Sequence, residues 1–318
     1  MSTSDFTGLL FIGDPHLASR APGFRCDDYP RAILDKLKFA LGYAREHRLL
    51  PILLGDLFEF PRDNANWLLV ELFRLLERGT LAIHGNHDCK ENELAANDTL
   101  SVLVESGQLR LLGAETPWTG RMNGCIVVVG GTSWGQDLPA LFDRSSFEAE
   151  GLPMFVLWAT HHDLNFPGYE ESARMKCRTT PGIDLVVNGH IHRALGDVAS
   201  DSTRWMNPGN ISRVARGDAT RAHVPSVLRV DVSPNGLATS RVAVPHLPFD
   251  EVFHPDVESI PVEAGPSLFI RELAKLQASR TSTGAGLREF LDANLPGFEP
   301  KVAEYVRALA EEVLSDGT

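Results

Sequence analysis

Short apolar runs alternate with helical patterns along the N-terminal part of the chain. Three of the runs predict buried strands, namely TGLLFIG at 7–13, LLPILLGD at 49–56 and TLAIHGN at 80–86. Between them, residues 29–47 and 64–79 space their apolar positions as amphipathic helices do, and Gly79 is expected to close the second helix. This alternation of strands and helices predicts a parallel sheet covered on both faces.

From about residue 109 the helical patterns become rare, and the chain becomes a series of strands and turns. Such a series of strands and turns is typical of a two-sheet sandwich. The predicted strands are QLRLLG, CIVVVGG, PMFVLWATHH, IDLVVNGH, RWMNPGN, SVLRVDV and ATSRVAV.

The pattern changes again after Val244. A proline-rich passage at residues 245–266 predicts an extended linker, and three helical patterns follow it. We therefore expect one large domain at residues 1–245 and, at 246–318, a linker with a small helical module.

Composition is that of an ordinary globular protein, with 43% hydrophobic and 23% charged residues among 318. No stretch of about 18 apolar residues occurs, so no membrane span is predicted, and the N-terminus lacks the basic flank of a signal peptide. The cysteines have no C-x-x-C spacing, which argues against a disulfide framework and a thiolate zinc site. We expect a cytoplasmic protein.

The net charge bears on the partners that the chain could bind. With a formal charge of -12 and an isoelectric point near 5.4, the chain lacks the basic surplus usual in proteins that bind nucleic acid. A nucleic-acid function therefore requires a local basic strip.

Polar side chains that bind metals follow five of the predicted strands. A single motif of this kind is more often a capped turn, but five of them, each after an apolar run, are hard to obtain by chance. The side chains at these strand ends are Asp14 and His16, then Asp56, then Asn86, His87 and Asp88, then His161 and His162, and finally His190 and His192.

The spacing of these residues has a physical meaning. In an extended segment, residues two apart point the same way, so Asp14 and His16 converge on one ion, whereas His190 and His192 serve one ion or diverge to reach two. Imidazole, carboxylate and amide ligands without thiolate suit manganese, iron or zinc. More than six ligands exceed the needs of one transition metal. Two ions about 3.5 to 4 Å apart, bridged by a carboxylate, form the type of centre that hydrolyses phosphate esters.

In their order along the chain, the motifs D-x-H, G-D, G-N-H-D, a strand-terminal His and G-H-x-H resemble the calcineurin-like metallophosphoesterase superfamily over about residues 6–245. The resemblance implies a four-layer α/β/β/α sandwich and two divalent ions, with manganese favoured and iron or zinc as alternatives. It also implies the ligands of each ion. These are Asp14, His16, Asp56 and His192 for the first ion, and the bridging Asp56 with Asn86, His161 and His190 for the second.

His87 is not a ligand in the family that the chain resembles. The resemblance implies that His87 faces the phosphate and acts as general acid or charge stabiliser for the leaving oxygen, with Asp88 orienting its imidazole.

Two further segments bear on the branch of the family. GDLF at 55–58 and NPGNISR at 207–213 resemble the nuclease subunit of SbcCD-type repair complexes, and the G-D-x-x-D-R-G segment of protein phosphatases is absent. This resemblance implies a DNA nuclease whose C-terminal helices bind a coiled-coil ATPase. The acidic charge and the lack of a sizeable capping domain count against it. The alternatives are a phosphoesterase of cyclic or dinucleotide substrates and a non-catalytic metal-bearing scaffold.

Several other side chains follow the ligand motifs and are candidates for substrate contacts. Arg213 and Arg216 are predicted to contact phosphate, and Arg20, Arg25 and Arg62 are predicted to extend the same basic strip. The alternative for each arginine is a solvated position on the surface. Trp134 and Tyr169 could stack on bases, although packing at the core or rim is favoured. His84 is expected in the core, and His162 behind the ligands.

Overall fold

Two six-stranded sheets form the body of the protein. The computed structural model describes residues 6–22, 24–147, 151–170 and 172–254, all within the compact unit Met1–His254. In spatial order, the first sheet contains β12 (Gly236–Ala243), β11 (Ser226–Ser233), β1 (Gly8–Ile12), β2 (Leu49–Leu53), β3 (Thr80–Ala82) and β4 (Leu109–Leu111). The second contains β5 (Trp118–Met122), β6 (Cys125–Thr132), β7 (Met154–Thr160), β8 (Leu185–Asn188), β10 (Thr203–Met206) and β9 (Val198–Ser200).

Both sheets are mixed. The strands β1 to β4 run parallel to one another, β11 pairs antiparallel with β1, and β12 pairs antiparallel with β11. In the second sheet β6, β7, β8 and β10 are parallel, and β5 and β9 are antiparallel edge strands. The predicted α/β class is confirmed, and the parallel strands of each sheet end at a common edge.

The helices are α1 (Tyr29–Glu46), α2 (Asn66–Leu75), α3 (Thr99–Glu105), α4 (Asp218–Ala222) and α5 (Phe249–Val252). The side chain of Asp28 caps α1 by accepting a hydrogen bond from the amide of Arg31, and Pro30 lies in the first turn. The second helix ends at Leu75, before Gly79, because Leu76 already has an extended backbone.

Apolar side chains fill three layers. Leu9, Phe11, Val127 and Leu157 belong to the core between the sheets, and α1 to α3 cover the other face of the first sheet. Trp158 and its neighbours form a core on the outer face of the second sheet. Among the described residues, loops between β6 and β7 and between β7 and β8 cover that face in place of helices.

The first residues of the predicted linker are not all extended. Residues 249–252 form α5, and Phe249, Val252 and Phe253 are buried. The amide of Cys26 donates to the carbonyl of Val252 over 3.0 Å, so this part packs against the loop before α1. Buried phenylalanines explain the helix, because an extended linker would leave them in water. The three predicted tail helices lie outside the described residues, and the domain boundary stays a prediction.

None of the helices in the described ranges has the length and hydropathy needed to cross a membrane.

Candidate metal centre

The predicted metal-binding side chains lie together at one edge of the two sheets. Asp14, His16, Asp56 and Asn86 follow β1, β2 and β3 of the first sheet, and His161, His190 and His192 follow β7 and β8 of the second. Ligand sites of α/β proteins lie beyond the carboxyl ends of parallel strands, and here both sheets contribute such ends.

The first cluster contains Asp14, His16, Asp56 and His192, whose donor atoms lie within 4.8 Å of one another. The Nε2 atoms of His16 and His192 are 2.9 Å apart, and His16 Nε2 is 3.6 Å from Asp56 Oδ2. Two imidazole nitrogens that face each other beside carboxylates require a proton or a cation between them. This donor set fits a divalent ion.

The second cluster shares Asp56 with the first. His161 Nε2 lies 3.3 Å from Asp56 Oδ2 and 3.2 Å from Asn86 Oδ1, and His190 Nδ1 lies 2.9 Å from the same amide oxygen. An imidazole pair, a carboxylate and an amide oxygen thus converge on one point. Because Asp56 Oδ2 faces both clusters, the geometry fits a dinuclear centre bridged by that carboxylate.

Each buried aspartate divides its two oxygens between the backbone and the centre. Asp14 Oδ1 accepts from the amide of His190, and Asp56 Oδ1 accepts from the amide of His87, each over 2.8 Å. Asp14 Oδ2 is buried without a hydrogen-bond partner. A buried carboxylate oxygen left in this way is costly unless a cation satisfies it, so the site is built for ions.

The far ring nitrogens of the predicted ligand histidines lie next to oxygen atoms. His161 Nδ1 lies 2.6 Å from the carbonyl of Leu54, His190 Nε2 lies 2.8 Å from Asp163 Oδ1, and His16 Nδ1 lies 2.7 Å from Glu59 Oε2. Such partners fix the tautomer and aim the other nitrogen at the metal. Glu59 and Asp163 were not predicted; their only sequence signal is an acidic residue within three positions of a ligand motif.

His87 lies beside the first cluster. Its Nδ1 is 2.8 Å from the backbone carbonyl of Glu59, and its ring meets that of His16 edge-on at 4.8 Å. The side chain is 39% exposed, whereas those of His16 and His161 are buried. With Nδ1 next to a carbonyl, Nε2 is the nitrogen left to face a substrate, and the role of His87 stays a prediction.

The predicted role of Asp88 is wrong. Both carboxylate oxygens are buried and accept backbone amides, from Phe58 over 3.0 Å and from Gly85 over 2.9 Å. Burial raises the pKa of Asp88 to about 6, and the Asp56 carboxylate contributes to the rise. Asp88 therefore joins the loops after β2 and β3, and the carbonyl of Glu59 holds the imidazole of His87.

Four of the ligand residues have a left-handed backbone. The φ angles are 42° at Asp14, 49° at His16, 47° at Asp56 and 67° at His190. Residues other than glycine avoid this region, and strained backbones of this kind concentrate at functional sites. The strain shows that the strand ends are shaped for the side chains that they present.

Charges at the centre are strongly coupled. Burial on its own lowers the pKa of His161, but the carboxylates of Asp56 and Asp14 outweigh it and raise the value to about 9. Burial raises the pKa of Asp14 to about 6, whereas burial and the neighbouring His16 hold the pKa of His192 well below its usual range. Without ions, the centre thus holds protons on selected groups.

The arginines predicted to contact phosphate are engaged elsewhere. Arg213 is buried; its Nε and Nη2 donate to the carbonyl of His223 over 3.2 and 2.6 Å, and its Nη1 donates to that of Leu247. The prediction for Arg213 is therefore corrected to a structural role, because its donors bind backbone carbonyls. Arg216 donates to the carbonyl of His254 and lies over the ring of Phe24.

The other members of the predicted basic strip have similar contacts. Arg25 pairs with Asp27, and Arg62 lies 2.8 Å from Asp98. Arg20 lies over the ring of Phe60. Each of these three arginines thus has a partner within the protein.

Two aromatic side chains border the centre. Trp134 lies nearly parallel to His190, with ring centroids 5.0 Å apart, and its Nε1 donates to Asn92 Oδ1. Tyr169 donates to Asp163 Oδ1, the acceptor that holds His190. His84 is buried as expected, and His162 is buried behind the ligands.

Residues 8–194, more than half of the chain, match the calcineurin-like phosphoesterase family, and the chain belongs to that family. The predicted superfamily is thereby confirmed, whereas the resemblance to SbcCD-type nucleases stays a prediction. A search of proteins with curated functions finds no match.

Similar solved structures include three proteins with low sequence identity. A dimetal phosphatase from Danio rerio is 12% identical with a TM-score of 0.42, and the match covers 76% of this chain and 100% of that one. A predicted phosphoesterase from Streptococcus pneumoniae is 11% identical with a TM-score of 0.30, covering 74% and 98%. A sulfate thiohydrolase from Thermus thermophilus is 13% identical with a TM-score of 0.37; the match covers 76% of this chain and 56% of that one.

The protein is a metal-dependent hydrolase of this family. Two divalent ions held by the clusters would bind the phosphate oxygens and stabilise the charge that develops on them. The chain itself orients the ligand imidazoles through Glu59, Asp163 and the carbonyl of Leu54. Transfer of a proton from His87 to the leaving oxygen stays a prediction.

Proposed function

We propose that the protein is a phosphodiesterase that cleaves nucleic acid, with two manganese ions as its working metals. The observation that supports this most is the position of Trp134, whose indole lies against the ligand imidazole of His190. A flat aromatic surface next to a phosphate site suits a nucleobase, because bases stack on aromatic rings whatever their sequence.

The charge around the centre favours a diester over a monoester. A phosphomonoester carries about -1.5 to -2 charges near neutral pH, whereas a diester carries only one. Arg25 and Arg213, which could neutralise a second charge, are bound to Asp27 and to backbone carbonyls. These two arginines therefore give the metal centre little help in binding a dianion.

The same engaged arginines support a second candidate, a phosphoesterase of cyclic or dinucleotide substrates. A small substrate makes few phosphate contacts, so it does not require the basic surface that a long polyanion attracts. A repair-type partnership with a coiled-coil ATPase is part of the nuclease proposal, and the segment predicted to bind it lies outside the described residues.

The proposal is tested by substrate preference. The manganese-loaded protein is offered single- and double-stranded DNA, RNA, a cyclic dinucleotide, bis-p-nitrophenyl phosphate and p-nitrophenyl phosphate. We expect cleavage of DNA and of the small diester, and much slower hydrolysis of the monoester. Asp56→Asn, which changes the bridging carboxylate, serves as the inactive control.

Preference for the monoester would overturn the phosphodiesterase assignment. Turnover of the cyclic dinucleotide without any cleavage of DNA or RNA would replace the nuclease with the small-molecule alternative.

A further inference from the structure

A cavity of about 360 Å³ opens directly beside the metal centre. Two ligand residues, His190 and His192, form part of its lining, so whatever occupies the cavity is adjacent to a phosphate bound by the ions. Its volume lies at the lower end of the range for small-molecule sites, which suits one compact group rather than a length of polymer.

An aromatic ring and a cation line one part of this cavity. The guanidinium of Arg193 lies 5.9 Å from the centroid of the Tyr169 ring and also donates to the carbonyl of Gly168. The Tyr169 hydroxyl donates to Asp163 Oδ1 over 3.2 Å, and the same oxygen lies 2.8 Å from His190 Nε2. One hydrogen-bonded chain thus holds the tyrosine in a fixed position relative to a metal ligand.

Small, mostly apolar side chains line another part. They come from the segment before α4 and from its first residues, and they are Val214, Ala215, Ala219 and Thr220. No residue of α4 is buried, so this helix has no core to complete. Polar side chains complete the lining, namely Asn210, Ser212, Arg213 and His223. An aromatic ring, small apolar groups and polar side chains together suit a flat ring that carries polar groups at its edge.

A phosphate group by itself would use the cation but has no need of the aromatic ring or the small apolar groups. The base and sugar of a nucleoside need a surface for stacking, limited space and a position next to the phosphate, and the cavity offers all three. A nucleoside is therefore the group whose chemistry matches the lining.

We propose that this cavity is a subsite for one nucleoside of the substrate, with its base stacked on Tyr169 and its phosphate on the metal centre. The inference rests on the proposed phosphodiesterase function and specifies the part of the substrate next to the scissile bond. It assigns a substrate-binding role to Tyr169, Arg193 and Ala219.

Three diesters with the same leaving group test the subsite. They are methyl p-nitrophenyl phosphate and the p-nitrophenyl esters of thymidine 3′-phosphate and thymidine 5′-phosphate. All three release p-nitrophenolate, so the ratio of kcat/KM for a thymidine ester to that for the methyl ester measures what the nucleoside contributes. Stacking of one base predicts a ratio of roughly 5 to 150 for at least one thymidine ester.

Variants locate that contribution in the cavity. Tyr169→Leu removes the ring, and Ala219→Trp fills the space; each should bring the ratio to about 1. Tyr169→Phe keeps the ring and should retain most of the ratio measured for the unmodified protein. Ala222→Trp is the matched control, because Ala222 belongs to the same helix but does not line this cavity.

A ratio near 1 in the unmodified protein, with all three diesters hydrolysed, would overturn the subsite and leave the phosphodiesterase proposal intact. A high ratio that persists in both Tyr169→Leu and Ala219→Trp would place the nucleoside elsewhere and also overturn it. Failure to hydrolyse any diester while p-nitrophenyl phosphate is cleaved would instead reject the proposed function.

Discussion

Glu59 contacts two histidines with two different groups. Its carboxylate lies 2.7 Å from His16 Nδ1 and 3.9 Å from His87 Nδ1, and its backbone carbonyl lies closer to His87 Nδ1, at 2.8 Å. A substitution of the side chain therefore changes the metal ligand and leaves the contact with the proposed leaving-group histidine in place.

The substitution Glu59→Gln should weaken the first ion site. Loss of the carboxylate removes the charge that makes His16 a better ligand, and such outer partners typically contribute 10- to 100-fold in metal affinity. We expect a loss of about that size by calorimetric titration with Mn²⁺. Saturating Mn²⁺ should restore most activity, because the carbonyl that holds His87 remains.

Glu105→Gln is the same chemical change at an exposed position of α3, and it should alter neither the affinity for Mn²⁺ nor the activity. Activity that stays low at saturating Mn²⁺ would show that the Glu59 carboxylate acts beyond metal binding.

Substitution of two histidines separates ligation from catalysis. His87→Ala should keep two ions per protein and lose activity by roughly two to four orders of magnitude, as expected for a general acid. His161→Ala should empty the second site, because its Nε2 lies between Asp56 and Asn86. Metal analysis of both proteins checks the assignment, and equal metal loss in the two would contradict it.

At the scale of the elements, close approach between strand ends determines the site. Gly85 follows β3 and lies against Asp56, so a Cβ there would overlap Asp56 Oδ1 and lie 2.6 Å from the Asp56 amide nitrogen. Gly55 precedes Asp56 with a φ of 91°, a conformation that side chains rarely adopt. The glycine before Asp56 and the one before Asn86 are needed for the two loops to meet.

Gly85→Ala should therefore destabilise the protein and weaken ion binding together. Overpacking of this kind costs about 1 to 3 kcal/mol, and the atoms displaced belong to the bridging carboxylate. Gly42→Ala is the control, because a Cβ at that position in α1 meets nothing within 4 Å and should stabilise the helix by about 0.4 to 1 kcal/mol. Chemical denaturation and Mn²⁺ titration measure both effects; unchanged affinity in Gly85→Ala would contradict the close-approach argument.

At the scale of the whole molecule, the metal centre joins the two sheets. Asp14, Asp56 and Asn86 come from the first sheet, and His161 and His190 come from the second. Ions bound only by the folded protein stabilise it in proportion to the logarithm of their concentration over Kd. Removal of the ions should therefore lower the Tm of the whole unit.

That stabilisation should increase as the pH rises from 6.5 towards 9. In the ion-free protein the pKa of His161 is raised to about 9, so its charge contributes stability that is fully present below pH 6.5 and is lost as the pH rises through 9. The ion must displace this proton, so its affinity rises by at most about tenfold per pH unit over the same window.

The difference in Tm between manganese-loaded and chelator-treated protein, measured across this range, checks the prediction. Lys36, whose pKa burial lowers to about 7, titrates in both forms and so cancels in the difference. A difference that stays constant with pH would contradict the role of His161.

Much of this protein could be predicted from its sequence because the signals are local. The strands and α1 follow from apolar periodicity and turn residues, and the ligand side chains follow from their places just after strands such as β1 and β8. Neither inference requires knowledge of how distant segments pack.

Other features depended on contacts between residues far apart in the chain. Asp88 is adjacent to His87 in sequence, but the loop after β2 supplies Phe58 as a partner for Asp88 and Glu59 as the holder of the imidazole. Arg213 follows a ligand motif, yet its guanidinium is buried and donates to the carbonyls of His223 and Leu247. A side chain binds the donors and acceptors nearest in space, and for these residues only the tertiary structure decides which those are.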